Sequence, residues 1–346
     1  MILAQSSLLL GIMLLPMLDS LPLEERPPMT KNSPDHLRGT KRKVRRSNTN
    51  ANDHGIDLND ILTQIDTEFS ESHAIETKGS VPAHLPVQVT PPDVKYDEMD
   101  ASIRRQLHVF GTDERLIFKD SSYPYSTVGR VSSTDGNTIS ICTGTMIGPR
   151  QVLTAAHCLS SDPMTFTPSY YDGDAPFGSA SIVEKLHWNI VDVDDGFTNN
   201  EVAFDSAVLI LDRNLGDVTG WMGVKDFSYD WIDGPYWSNI GYPEKLTGFD
   251  RPVYTSNGAV WSIDEFSIKT PGHTGKVLGH FLDMEQGHSG GPLFSYFNQD
   301  GESYPSIVGV LSSQAFKPSR SANGDNQATA GQRLIDLVQY ALRSWP

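Results

Sequence analysis

Cysteine is the scarcest residue of this 346-residue chain, with only Cys142 and Cys158 present. Two thiols cannot build a multi-bridge scaffold or a cysteine-rich zinc site, and no His-x-x-x-His spacing supplies ligands instead. No metal site is therefore expected. Long apolar runs are also missing. Without about 18 uninterrupted apolar residues the sequence offers no membrane span, so no membrane partner is expected. Positive charge is in deficit, with 27 Lys and Arg against 43 Asp and Glu and a formal charge of -16. A surface this acidic repels polyanions, which argues against nucleic acid as a partner.

What is present suits a folded, β-rich protein. Hydrophobic residues make up 38% of the chain, enough for a sizeable core, and 29 Gly and 22 Pro supply turns. The chain reads as three stretches. Residues 1–20 form the first, in which residues 2–18 are mostly apolar and are broken by Gln5, Ser6, Ser7 and Pro16. This pattern is read as a secretory signal peptide in preference to a buried core helix. Residues 21–105 are polar, contain Pro and lack sustained periodicity, as expected of a largely flexible propeptide. Two basic clusters punctuate it, KRKVRR at 41–46 and the pair Arg104-Arg105. Either is a candidate site for a processing protease, with a solvated charge run as the alternative. Secretion into an oxidising compartment implies that Cys142 and Cys158 form one disulfide.

Residues 106–346 form the third stretch. Short β-type runs recur there between turn signals: STVGRVSS, TISICTGTMIG, QVLTAAH, ASIVEKLHW, SAVLILD, WSNIGY, GAVWSI, KVLGHFLD and SIVGVLSS. Many short strands at such spacing predict an all-β sandwich or barrel. The last segment, GQRLIDLVQYALRSW, places Leu334, Leu337, Val338, Ala341 and Leu342 at helical spacing. A C-terminal helix packing one apolar face on the body is predicted.

A protein that hydrolyses an amide at neutral pH needs a nucleophile stronger than a free hydroxyl. An imidazole can create one by taking the hydroxyl proton, provided that a carboxylate orients the ring and stabilises its cation. Ser289 lies in GHSGGPLF, where glycines permit a tight turn and close approach of a substrate backbone. The amides of Gly287 and Ser289 are candidate donors to an oxyanion. The same string fits the nucleophile elbow of an α/β-hydrolase, but that fold needs its histidine after the serine. The ten histidines of this chain end at His288, so the elbow reading fails.

His157 stands in VLTAAHC, after an apolar run. Together, CTGTMIGPRQVLTAAHC and GHSGGPLF resemble the histidine and serine signatures of chymotrypsin-like serine peptidases. Asp205, in FDSAVLILD, is similar to that family's Asp-x-Ala-x-x-x-Leu pattern. Asp192, Asp194 and Asp195 compete for its place but sit in a Gly-bounded loop that reads as surface or as a weak cation site. Asp212 is also set aside, because it ends the strand, about 20 Å along at ~3.3 Å per residue.

The resemblance spans about residues 109–345, and FGTDERLIF, YPYSTVGRV, CTGTMIGPR and IGYP resemble the glutamyl-endopeptidase-like branch. It implies two six-stranded antiparallel β-barrels with a C-terminal helix, the first over about 106–222 and the second over about 223–346. It also implies peptide or protein substrates and no cofactor. Two departures stand out. His288 occupies the place where trypsin has an Asp that receives the new N-terminal amine, and Leu311, Ser312 and Ser313 stand where glutamate-selective members carry a His. Asp283, six residues before Ser289, matches the pocket Asp of trypsin-like enzymes, with a structural role as the alternative. The same match puts Ser312, Ser313 and Gln314 on the pocket wall.

Overall fold

The structure, a computed structural model, describes residues 56–57, 77–87, 113–188, 197–267, 274–299, 302–314 and 326–346. All of them belong to one unit, residues 50–346. The expected signal peptide, both basic clusters, Asp192, Asp194 and Asp195 lie outside the described residues.

Two short strands come first in the chain, β1 (Ile56–Asp57) and β2 (Leu116–Ile117). Six longer ones follow: β3 (Val128–Thr134), β4 (Ile139–Met146), β5 (Gln151–Thr154), β6 (Met164–Pro168), β7 (Ala180–His187) and β8 (Ala207–Leu211). They pair in the order β7-β6-β3-β4-β5-β8, and β8 pairs back onto β7, which closes a six-stranded antiparallel barrel. β8 (AVLIL) is buried at every position, as a continuous apolar run of strand length should be, and β5 (QVLT) is buried throughout with its polar Gln151 and Thr154 included. Val131, Met146, Val152, Phe166, Leu209 and Leu211 fill the interior. β1 adds a parallel pairing to the end of β7.

The second sheet comprises β2 with β9 (Gly223–Val224), β10 (Trp237–Gly241), β11 (Val253–Gly258), β12 (Val260–Ser267), β13 (Thr274–His280), β14 (Pro292–Gln299), β15 (Glu302–Gln314) and β16 (Asn326–Ala330). Its path runs β12-β13-β16-β15-β14-β10-β11-β2, with β9 on β15. β11 and β12 are separated only by Ala259, and the run bends there: β11 pairs with β10, and β12 pairs with β13. Counted as one bent strand, residues 253–267 close a ring of six, so the two-barrel expectation holds. β2 departs from the expected boundary. It lies in the range assigned to the first barrel but pairs with Tyr254 and Val253 of the second, because the chain enters along that barrel's edge before turning into β3.

The C-terminal helix spans Gln332–Ser344, and Leu334, Ile335, Leu337, Val338 and Ala341 are buried. Each of its larger aliphatic side chains contributes about 2 kcal/mol of hydrophobic stabilisation. They join a core cluster with Leu153, Val208, Ile210, Ile240 and Val310, drawn from both barrels. The helix thus fixes the two halves that carry the site.

Candidate active site

His157 occupies a single 3-10 turn, Ala156–Cys158, directly after β5. Small Ala155 and Ala156 let the turn fold tightly, and the Cys142–Cys158 disulfide ties it to β4 with Cα atoms 6.1 Å apart. Asp205 is placed from the other side. Thr198 caps the short helix Asn199–Val202 in a reciprocal pair with Glu201, and this sets the direction in which the chain reaches Asp205 and enters β8.

The fully buried carboxylate of Asp205 grips His157 twice. The backbone N–H of His157 donates to Oδ1 at 2.9 Å, and Nδ1 lies 2.7 Å from Oδ2. That contact holds the proton on Nδ1 and leaves Nε2 as the acceptor. Ser312 donates its hydroxyl to the same Oδ2. Burial pushes the Asp205 carboxyl up, but the His157 charge, the His157 and Ser312 hydrogen bonds and the backbone donor outweigh it, and the net shift is downward. At His157 burial acts downward, yet the Asp205 charge and hydrogen bond prevail and raise its pKa. Phe197 packs edge-on against the imidazole, with ring centroids 5.2 Å apart.

Ser289 reaches this pair through Ser312, whose carbonyl lies 3.5 Å from Ser289 Oγ. The turn around Ser289 demands glycine. Gly287 (φ +98°) and Gly290 (φ +83°) lie in the left-handed region, and a Cβ on Gly290 would fall 2.2 Å from Thr143 O and from Thr154 Oγ1. Thr154 and Ala155 immediately precede the histidine turn, so the serine loop packs against it. Thr143 clasps the loop, its hydroxyl donating to Gly287 O at 2.7 Å and its amide to Ser289 O at 2.8 Å. The amides of Gly287 and Ser289 donate to no partner among the described residues.

The expected pocket residues divide. Ser312 turns its hydroxyl onto Asp205 and presents only its backbone to Ser289. Ser313 is half-buried and donates to Gln327, and Gln314 is half-buried at the end of β15. Asp283 is buried, and its carboxylate accepts from the amide of Glu114 at 3.2 Å.

Beside it, the fully buried Arg115 side chain donates to both oxygens of Asp113 and, at 2.9 Å, to Glu285 Oε1. His288 is also buried, its Nδ1 set against the main chain of Glu285. Burial, followed by the charge of Arg115, pushes its pKa down to about 3. Unlike the Asp in trypsin, an imidazole carries no negative charge to pair with a chain-terminal ammonium.

Thr143, Phe197 and Arg115 were not anticipated from the sequence. Arg115 and Thr143 stand in the strings FGTDERLIF and CTGTMIGPR, but they act on loops more than 140 positions away, and nothing in those strings names the partner.

The trypsin family model matches residues 118–330, more than half of the chain. The chain belongs to the trypsin family. It is 27% identical over 247 residues to a Bacillus subtilis (strain 168) protein named Extracellular metalloprotease, across 68% of this chain and 69% of that one. It is 25% identical over 201 residues to the Glutamyl endopeptidase of Bacillus licheniformis, across 54% of each chain. The match therefore spans about half of that relative's length. A shorter match, 39% over 62 residues, is to Inactive serine protease 35 of Homo sapiens, across 17% of this chain and 13% of that one. Among solved structures, a Glu endopeptidase in complex with MPD shares the fold, with a TM-score of 0.51, 23% identity and coverage of 68% of this chain and 99% of that one.

Within the trypsin family the resemblance is to the glutamyl-endopeptidase-like branch. The name of the B. subtilis relative raises the question of a metal. Among the described residues, the side chains grouped closely enough to share an ion are Cys142, His157 and Cys158. The disulfide occupies both sulfurs and Asp205 holds Nδ1 of the imidazole, so this donor set does not fit one.

Proposed function

We propose that this chain is a secreted serine endopeptidase, made as a precursor, that hydrolyses peptide bonds through an acyl-enzyme. The observation that carries the reading is the His157 ring held by the buried Asp205 carboxylate, with Ser312 linking Asp205 to Ser289. In this reading His157 Nε2 takes the Ser289 proton as Oγ attacks the scissile carbonyl, and Asp205 stabilises the imidazolium. The amides of Gly287 and Ser289 receive the oxyanion. His157 then gives its proton to the leaving amine, and water repeats the sequence to release the acid and regenerate Ser289.

We assign Asp283, Ser312, Ser313 and Gln314 to the side-chain pocket, supported by Ser312 O lying 3.5 Å from Ser289 Oγ near the end of β15, the strand that also carries Ser313 and Gln314. Residues 1–20 act as signal peptide and residues 21–105 as propeptide, with Arg104-Arg105 or residues 41–46 as the processing site. Secretion is supported by the Cys142–Cys158 disulfide and by a relative named as extracellular. No helix among the described residues is long and apolar enough to cross a membrane.

Treating the secreted protein with a fluorophosphonate tests the reading. Labelling is expected at Ser289 and should vanish in Ser289→Ala. A folded, processed sample that takes no label would instead be a catalytically silent homologue that binds partners through the same cleft.

A further inference from the structure

We infer that residues 77–87 of the leader are a built strap on the junction between the two barrels, and that this part of the leader stays bound after the chain is cut between it and the peptidase domain. The inference rests on the precursor reading for its setting. Its geometry is independent of the triad.

The strap faces residues 221–224, which pass from the first barrel to the second. Thr77 and Val224 exchange backbone hydrogen bonds in both directions, at 3.0 and 3.3 Å, and Ser80 and Trp221 do the same at 2.9 and 3.0 Å. The Thr77 hydroxyl takes a further bond from the Val224 amide at 2.9 Å. Downstream, Pro86 O accepts from Tyr123 N at 2.9 Å, five residues before β3 begins. On its other side β9 pairs with Ser306 and Ile307 of β15. One short leader segment is therefore bonded to the entrance of the first barrel and, through β9, to the second.

Glycines on both surfaces make this approach possible. A Cβ on Gly79 would lie 2.8 Å from the Tyr123 hydroxyl and 2.9 Å from Trp221 O. A Cβ on Gly223 would lie 2.6 Å from Thr77 O, and one on Gly220 would lie 2.5 Å from Ser80 O. The strap supplies the backbone partners of the buried Val224, whose N–H and C=O would otherwise have to be satisfied by water. Upstream, β1 adds a second attachment of the leader, on Leu186 and His187 of β7. The strap is remote from the chemistry: Ile307 lies five residues before Ser312, roughly 16 Å along β15.

The test uses the full chain carrying Ser289→Ala, a C-terminal tag and a site-specific protease sequence inserted within residues 91–100. After cutting, the tagged domain is captured and washed, and retained leader is measured by mass spectrometry. The leader should remain in equal amount with the domain, and Gly79→Val should reduce its retention by roughly tenfold or more. Loss of the leader from the unaltered chain as complete as from Gly79→Val would overturn the inference. Should Gly79→Val fail to fold, hydrogen exchange decides: the Ser80, Trp221 and Val224 amides of the unaltered chain should stay protected after cutting, and their rapid exchange would refute the strap. Sequencing the N-terminus of the naturally secreted protein tests the precursor reading separately.

Discussion

Replacing Arg115 by Met removes the cation of a buried cluster while keeping most of its volume. The native side chain donates to Asp113 at 3.0 and 2.9 Å and to Glu285 at 2.9 Å. The variant loses these charge-assisted bonds and leaves two carboxylates, with side chains 6% and 3% exposed, without their cation, although Glu285 keeps the Leu246 amide and Asp113 the amide of residue 115. Breaking a buried pair from one side costs about 3–5 kcal/mol, because the remaining charge is left without compensation. For a domain of this size that corresponds to a fall in Tm of roughly 6–20 °C.

The loss should depend on pH in a defined direction. Burial raises the Glu285 pKa and Arg115 opposes it, so removing Arg115 raises it further. A carboxyl raised above its unfolded value binds its proton more readily in the folded state, so stability recovers as pH falls through the folded pKa. The destabilisation should therefore be largest at neutral pH and shrink in acid. Glu285 O accepts the His288 amide next to Ser289, so kcat/KM should fall as well. Urea unfolding followed by tryptophan fluorescence at several pH values measures the effect. A loss below about 1 kcal/mol at neutral pH, or one that does not change with pH, would refute the reasoning.

Three further outcomes are expected. With His157 as base, kcat/KM should rise with pH through a midpoint above the ordinary imidazole value of about 6.5, and Asp205→Asn should lower that midpoint and cut kcat by on the order of 10⁴; an unchanged midpoint would contradict the pairing. The buried imidazoles of His280 and His288 have pKa values pushed down to about 3, so their contribution to stability is complete above the unfolded value and is lost as pH falls toward 3. Replacing His280 by Gln should flatten the acid slope of unfolding stability by about 1.4 kcal/mol per pH unit, and an unaltered slope would show that it does not titrate on unfolding. Replacing both Cys142 and Cys158 by Ser opens a loop of sequence separation 16 and should destabilise the fold by about 3 kcal/mol in urea, against the expectation of no change if the crosslink constrains nothing.

Much of this molecule is legible wherever function and structure are encoded locally. β8, reading AVLIL, is a short apolar run with no solvent face, so composition alone identifies it. His157, Asp205 and Ser289 each sit in a string shaped by its own turn or strand. Other elements hide because tertiary contacts decide them. β6, reading MTFTP, alternates Met164, Phe166 and Pro168 inward with threonines, too short a pattern to stand out. β16, reading NQATA, is fully buried although it has no large apolar side chain, because it lies between β13 and β15.

The support for the site is hidden for the same reason. Ser312 reads as one serine in a strand, and only its register beside Asp205 gives its hydroxyl a role. Arg115 has no partner in its own string beyond Asp113, and only the fold brings Glu285, 170 positions later, against it. Residues 77–87, reading TKGSVPAHLPV, lie in a Pro-containing leader without sustained periodicity, and their attachment depends on backbone groups that composition does not report.

The measurement closest to the central claim is direct detection of the acyl-enzyme. The processed protein is mixed with a chromogenic ester, quenched in acid within the burst and mapped by peptide mass. An acyl group should appear on the peptide containing Ser289, disappear in Ser289→Ala and form far more slowly in His157→Ala. Turnover without that adduct, or an adduct that persists when Ser289 is replaced, would contradict the account.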